Sequence, residues 1–373
     1  MKKILHISKY YYPFIGGVEQ VARDCVQSFK DGYNQKVICF NHRKGNNIDF
    51  IDDVEITRVN CQCKIASQSI AISYGKQIKQ MLKKYKPDIV IFHYPNPFVA
   101  HFVEKYLKNK KFKFILYWHL DITKQKFLKL FFNGQNKKLL KYADKIIATS
   151  PNYIEGSPWL LPYKNKCVVI PCCVNEERLK YGDTNIENSK KIREKFQNKI
   201  ICFAFGRHVQ YKGLEYLIKA SKLLNDNYVI LIGGIGPLTE KLKSAAINDK
   251  KVIFLGKLSD AELKNYLLAC DIFCFPSITK NEAFGIGLAE AMYYKKPAIT
   301  FNIPGSGVNY VSINNVTGLE VVNANVNEYA KAIEKLAGCK KMRFEYGENG
   351  HNRVVNMFSF YELKNKMIDV VEK

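Results

Sequence analysis

Short runs of β-branched and aromatic residues alternate along this chain with longer amphipathic stretches, and the alternation occurs twice. In the first pass Ile4–Ile7, Val37–Phe40, Ile89–His93, Phe114–Trp118 and Ile146–Thr149 have strand length and composition, while Val18–Phe29 and Tyr74–Tyr85 carry helical periodicity. The second pass gives strands at Ile200–Phe205, Tyr228–Ile232, Val252–Phe254, Ile272–Phe275 and Ala298–Phe301. Helical segments separate them at Leu214–Leu224, Pro237–Ala246, Asp260–Ala269 and Ile286–Tyr294. Such a pattern predicts an α/β fold with helices covering a parallel sheet, because parallel strands need long crossover connections. Two doubly wound, Rossmann-like domains also suit 373 residues better than one. Between the passes, Ile170-Pro171-Cys172-Cys173-Val174-Asn175 leads into the charged stretch Glu176–Lys199, which lacks apolar periodicity. The hinge is therefore expected near residue 173, with domains at 1–173 and 174–356. Open α/β sheets bind ligands beyond the carboxyl ends of their strands, so the ligand is expected in a cleft between two such domains.

Composition excludes several classes. Hydrophobic residues make up 47% and charged residues 25%, so neither disorder nor a collagen-like chain is expected. The first apolar run, Ile4-Leu5-His6-Ile7, is too short for the core of a secretion signal, and no stretch approaches the roughly 18 apolar residues of a membrane span. The eleven cysteines have no zinc-like spacing, and we read them as reduced core thiols of a cytoplasmic protein. No metal site is expected. Net charge is +24 and uneven: residues 1–173 hold 29 Lys and Arg against 12 Asp and Glu. That half suits an anionic bilayer surface, a phosphorylated ligand or nucleic acid, and charge alone does not choose among them.

Several segments carry chemistry. In Pro13-Phe14-Ile15-Gly16-Gly17-Val18-Glu19, adjacent glycines after a strand open a helix, so backbone amides can approach an anion or simply make a tight turn. Arg207 and Lys212 leave the first strand of the second domain between Gly206 and Gly213, where two cations could clamp a diphosphate. Gly233-Gly234-Ile235-Gly236-Pro237 lacks full dinucleotide-motif spacing and either lets backbone approach a nucleotide or packs a helix on its sheet. In Asn281-Glu282-Ala283-Phe284-Gly285-Ile286-Gly287-Leu288-Ala289-Glu290, eight residues of helical rise separate the two carboxylates by about 12 Å. Acids at two depths around a helix N-terminus suit sugar hydroxyls, although Glu290 could instead be a helix acid paired with a lysine. His119 and Asp121 stand at the end of strand Phe114–Trp118, in a position that favours function over a structural histidine. Lys124–Tyr142 interleaves bases with apolar residues, as either a surface-docking helix or one packed on its own sheet.

Taken together, these residues resemble the family 4 retaining glycosyltransferases of GT-B architecture over nearly the whole chain. The likeness rests on Gly16-Gly17-Val18-Glu19, His119, the Gly206-Arg207 and Lys212-Gly213 pairs, Gly233 to Pro237, and the E-x7-E spacing of Glu282 and Glu290. Leu5-His6-Ile7 through Tyr12-Pro13, His119 to Lys126, and Ala148 to Tyr153 are similar to a mannosyl- or rhamnosyl-transferase-like subgroup of bacterial polysaccharide and lipopolysaccharide synthesis. The resemblance implies that backbone at Gly16 and Gly17 and the side chains of Arg207 and Lys212 hold the diphosphate of a nucleotide sugar. It also implies that Gly234, Phe284, Gly285 and Ile286 line the donor, Glu290 holds the ribose, and Glu282 with His119 holds the sugar hydroxyls. Asp121 is a candidate acceptor contact.

By the same likeness the reaction needs neither cofactor nor metal. The acceptor is a glycan on a polyprenyl diphosphate at the inner leaflet of the inner membrane, and the amphipathic segment 357–373 is a helix that returns to the first domain. One departure is plain: where many members place a Glu after the glycine loop, this chain has Asn309, which is left outside the site. A nucleotide-sugar epimerase of the same architecture is the alternative enzyme. A nucleic-acid-binding protein is the remote one, since the basic residues are scattered and no recognition module is present.

Overall fold

The computed structural model describes residues 1–14, 16–65, 68–122 and 128–373, with backbone alone for Ile65 and residues 128–132. The chain divides into two compact units, Met1–Cys173 with Phe360–Lys373, and Val174–Ser359.

The first unit contains β1 (Lys2–Ile7), β2 (Tyr33–Phe40), β3 (Asn47–Ile51), β4 (Val54–Val59), a small hairpin of β5 (Cys63–Ile65) and β6 (Gln68–Ile70), then β7 (Ile89–Tyr94), β8 (Lys113–Trp118), β9 (Lys145–Ala148) and β10 (Cys167–Val169). Eight of them form one sheet in the order β10-β9-β8-β7-β1-β2-β4-β3, parallel except for the β3–β4 hairpin. Strand β7 is buried along its entire length, which is why Ile89-Val90-Ile91-Phe92 is a continuous apolar run instead of an alternating one. Helix Phe360–Glu372 belongs to this unit: Lys113 Nζ donates to Val370 O at 2.7 Å, and Lys364 pairs with Asp31 at 3.0 Å.

The second unit contains β11 (Ile200–Phe205), β12 (Tyr228–Gly233), β13 (Val252–Gly256), β14 (Ile272–Phe275), β15 (Ala298–Phe301) and β16 (Gly318–Val321). All are parallel, in the order β13-β12-β11-β14-β15-β16. This is the Rossmann order, in which the winding reverses between the first and fourth strands, here β11 and β14. The equivalent reversal in the first unit lies between β1 and β7.

Some expectations require correction. The charged stretch 176–199 is not a featureless connector, since it contains helix Asp183–Lys195. That helix buries none of its residues, so it has no apolar stripe to reveal it. Polar contacts hold it instead, with Arg193 on Asp271 and on Ala269 O (3.1 Å), and Asn185 on Asn265 (2.8 Å). The last helix starts at Phe360, because Val174 N donates to Phe358 O and Phe358 packs edge-on against Phe284, keeping residues 357–359 with the second unit. All eleven cysteines are free; seven are buried, whereas Cys63 is exposed and Cys61, Cys167 and Cys339 are half-buried, so these four are not core thiols. Residues 123–127 of the basic stretch lie outside the described residues. In the described helix Leu128–Tyr142, Leu139 and Leu140 are buried while Lys137 and Lys138 are exposed, the pattern of a helix packed on its own domain.

Candidate functional site

In the second unit the candidate residues gather at the β11–β14 reversal. The chain leaves β11 through Gly206 and Arg207, makes a short turn at Gln210–Lys212, and enters helix Leu214–Ser221 at Gly213, whose φ is +61°. A side chain at Gly213 would be strained and would collide with the carbonyl of Pro276 at the end of β14. That close approach brings Lys212 beside the β14 loop. Its Nζ lies 4.9 Å from the centre of the Phe275 ring and pairs with Glu282, which also accepts a hydrogen bond from Ser277 Oγ at 3.1 Å.

Burial opposes the Lys212 charge, but the carboxylate of Glu282, the strongest opposing influence, holds the ammonium above its ordinary range. The lysine is therefore a fixed positive charge. Arg207 at the same strand end is exposed, and among the described residues its side chain makes no hydrogen bond or ion pair. It is a cation free to meet an anion.

The Glu282 loop is clamped from behind. Ser306 Oγ donates to the Glu282 carbonyl, and Gly307 N donates to Ala283 O at 3.0 Å. Asn309 stiffens the same region by accepting from Ile303 N at 2.8 Å and donating to Phe301 O and Glu320, a structural task. Helix Ile286–Tyr293 begins after Gly285, whose φ of +97° turns the chain into it. The Phe284 ring is buried against Phe358, so only its backbone, with that of Gly285 and Ile286, is left for a ligand.

One turn into the helix, Glu290 is buried and pairs with Arg178 instead of the lysine considered as its alternative partner. Arg178 also reaches Asp260 at 3.0 Å, and Asn175 accepts from its backbone N–H. Nothing in the sequence marks Arg178, which sits in the charged stretch that lacks apolar periodicity. At Gly234, with φ +108°, a Cβ would collide with the Gly206 carbonyl, so loop packing already requires that glycine.

In the first unit, Gly16 precedes helix Gly17–Ser28, and the Glu19 carboxylate folds back over it. A Cβ on Gly17 would meet nothing within 4 Å, so packing does not require a glycine there. Ile15 lies outside the described residues. His119 follows β8, with its N–H continuing the ladder to Tyr94 O at 3.0 Å. Its ring is buried against Tyr117, its Nε2 lies 3.0 Å from Nδ1 of His93, and burial lowers its pKa to about 3. Neutral imidazole is thus the working form. His93 was missed as a site residue; the only available signal was its place at the end of a strand.

Asp121, the candidate acceptor contact, is as buried as His119, and its Oδ1 accepts from Trp118 Nε1 at 2.9 Å and Ser157 Oγ at 2.8 Å, which ties segments of the domain together. His6, Cys25 and His93 place possible metal-ligand atoms within 4.8 Å of one another, the one such group among the described residues. No helix among them is long and apolar enough to cross a membrane.

Comparison with known proteins bears on this arrangement. Residues 15–178 match the family described as Glycosyltransferase Family 4, and residues 185–353 match Glycosyl transferases group 1. O-antigen chain mannosyltransferase C of Escherichia coli is 28% identical over 96% of this chain and 94% of its own length. D-rhamnosyltransferase WbpZ of Pseudomonas aeruginosa is 29% identical over 96% and 92%. Among solved structures, Anabaena Alr3699/HepE in complex with UDP and glucose superposes with a TM-score of 0.80 at 16% identity, over the full length of both chains. WaaG, a glycosyltransferase involved in lipopolysaccharide biosynthesis, does so with a TM-score of 0.70 at 15% identity over 99% of each.

Proposed function

The chain belongs to the glycosyltransferases of GT-B architecture, and from that premise we propose that it transfers a hexose from a nucleoside diphosphate sugar to a growing surface polysaccharide, with retention at the anomeric carbon and without a metal ion. The observation that carries this reading is the Lys212–Glu282 pair beside the unpaired Arg207 at the strand reversal of the second unit. Two cations at one strand end supply the charge that a departing diphosphate needs, with Lys212 already held in place by Glu282. Glu282, fixed by Lys212 and Ser277, offers carboxylate oxygens to sugar hydroxyls, and Glu290, oriented by Arg178, offers its own to a ribose.

Bond changes balance without a protein nucleophile. An acceptor hydroxyl attacks the anomeric carbon from the face the diphosphate leaves, the glycosidic bond to phosphate breaks, and the hydroxyl proton passes to the departing phosphate oxygen. Backbone at Gly16 and Gly17 as phosphate donors, and His119 as a sugar contact, are part of the same proposal. The names of the mannosyl- and rhamnosyl-transferase relatives favour a mannose-type sugar on an O-antigen-like chain, whereas UDP in the HepE complex keeps uracil open as the base. The acceptor we propose is lipid-linked, met at the inner leaflet by the basic residues of 1–173.

The test is a melting-temperature screen of the purified protein against GDP, UDP, ADP, dTDP and their sugars, with and without magnesium. A ligand at 100 times its dissociation constant adds about 2.7 kcal/mol of stability. A shift with one nucleotide family in the absence of magnesium supports the reading and names the base. Stabilisation that appears only with magnesium contradicts metal independence, and no shift with any of them removes the donor-site assignment.

A further inference from the structure

His93 stands at the carboxyl end of β7 and lies outside the residues that the sequence singled out. Parallel register pairs it with Tyr117 on β8, and His119 follows two residues later on the same side of the strand. The three rings pack as one block. The planes of His93 and His119 differ by 8°, those of Tyr117 and His119 by 17° with centroids 4.4 Å apart, and His93 Nδ1 lies 3.0 Å from His119 Nε2. Near-coplanar rings at that separation share one in-plane N–H···N hydrogen bond.

We propose that His93 is a positioning residue: it donates its Nδ1–H to Nε2 of His119 and so holds His119 in the tautomer that carries its proton on Nδ1, as a hydrogen-bond donor to an oxygen of the bound sugar. This deepens the reading of His119 as a ligand contact and rests on it. Burial keeps both rings neutral, so each has one N–H and the bond between them has a direction. Were His119 the donor, His93 would carry its proton on Nε2, an atom that is buried with no hydrogen-bond partner. A buried N–H without an acceptor is among the rarest features of folded chains.

The opposite direction leaves only a lone pair on Nε2, a smaller departure than a buried N–H without an acceptor, while the Cys25 thiol of the same buried group lies 4.0 Å from Nδ1 of His6. His6, two strands away from β8, obeys the same logic. Its Nε2 lies 2.9 Å from the Gln35 carbonyl oxygen, which can only accept, so His6 also holds a fixed tautomer. Among the described residues, His119 Nδ1 makes no hydrogen bond, which leaves its N–H for a ligand. The Tyr117 ring, stacked 4.4 Å from that of His119, stands in the path of a ring flip, which would put a carbon in place of each nitrogen.

Long-range proton–nitrogen spectra of the 15N-labelled chain, with histidines assigned by single His→Gln substitution, report which nitrogen of His119 carries hydrogen. The expected result is Nδ1–H in the native chain, loss of that preference in His93→Phe, which keeps a stacked ring without the donor, and its return in His93→Asn, whose amide N–H replaces Nδ1–H. With the nucleotide sugar selected by the melting screen, His93→Phe should lose at least about tenfold in kcat/KM, the scale for partners that orient a functional histidine, and His93→Asn should recover most of it. A native His119 with hydrogen on Nε2, or an unchanged tautomer in His93→Phe, overturns the proposal. Full turnover by His119→Phe would instead remove the reading of His119 itself and leave the tautomer result standing.

Discussion

Glu282 and Lys212 are each other's partners, and that decides how their substitution must be read. Removing Lys212 leaves a mostly buried carboxylate beside only Ser277, so Lys212→Ala carries a folding cost as well as a catalytic one. Glu282→Gln keeps volume and an acceptor for Ser277 while removing the charge that Lys212 faces. Both variants should transfer sugar at least ~100-fold more slowly, the scale for one preorganised electrostatic group. Melting curves should show both less stable than native, because each leaves a buried charge without its partner, with Glu282→Gln losing less since its amide oxygen still accepts from Ser277 and Lys212. Near-native rates in both would take the pair out of the site. Arg178 tests the other acid, since it holds Glu290 and Asp260. Arg178→Met should weaken binding of the preferred nucleoside diphosphate about tenfold, or roughly 1.4 kcal/mol. With the 2′-deoxy diphosphate, titration calorimetry should find a smaller loss, because the ribose hydroxyl that Glu290 would meet is already missing. Equal losses with both ligands would remove Glu290 from the ribose.

The glycines that open helices divide into those the packing requires and those it does not. Gly213 has φ +61° and the Pro276 carbonyl in the space of a side chain, whereas Gly17 faces open space within its helix. Gly213→Ala is therefore expected to lower the melting temperature, with strain of about 1–3 kcal/mol. Gly17→Ala should leave it unchanged or slightly higher, yet weaken nucleotide binding if backbone there meets the diphosphate. Unchanged affinity in Gly17→Ala would make that loop a turn and nothing more. The same contrast between packing and pattern governs what the sequence reveals about elements. Strands β1, β7, β8, β11, β12, β14 and β15 announce themselves because burial on both faces favours consecutive apolar residues, interrupted by the buried His6 in β1 and His93 in β7. Strand β3 is a short edge strand whose alternation covers only Asn47 to Phe50 and leaves the apolar Ile48 and Phe50 exposed, and helix Asp183–Lys195 buries nothing and has no apolar stripe. At the candidate site, Arg207, Lys212, Glu282 and Glu290 are legible as candidates because strand ends and glycine turns flank them. His93 and Arg178 are not, since their roles come from neighbours distant in sequence, His119 across the sheet and Glu290 on another helix.

At the scale of the whole molecule, buried neutral histidines and surplus positive charge have separate consequences. Burial lowers His6 to about 4 and His119 to about 3, against an ordinary value near 6.5. Below pH 6.5 the unfolded chain binds these protons and the folded one does not, so their effect on stability is absent above about pH 7 and grows unfavourable as pH falls toward 4, by up to about 1.4 kcal/mol per unit for each ring. His6→Gln should flatten the fall in melting temperature between pH 6.5 and 4.5, and an unaltered slope would mean that His6 takes up its proton without unfolding. The excess of basic residues in 1–173 acts outward, toward the anionic acceptor surface proposed above. Attraction to such a surface is worth up to about 1 kcal/mol per adjacent Lys or Arg and is screened within a Debye length of about 8 Å at physiological salt. Co-sedimentation with vesicles containing phosphatidylglycerol should therefore be strong at low salt, fall steeply as salt is raised, and be absent with phosphatidylcholine alone. If apolar insertion adds to the charge, Phe50→Ser, at a side chain 73% exposed on edge strand β3, should lower the residual high-salt binding without changing the low-salt attraction. Binding that ignores both lipid charge and salt would show that the positive half serves its phosphorylated ligands and not a membrane.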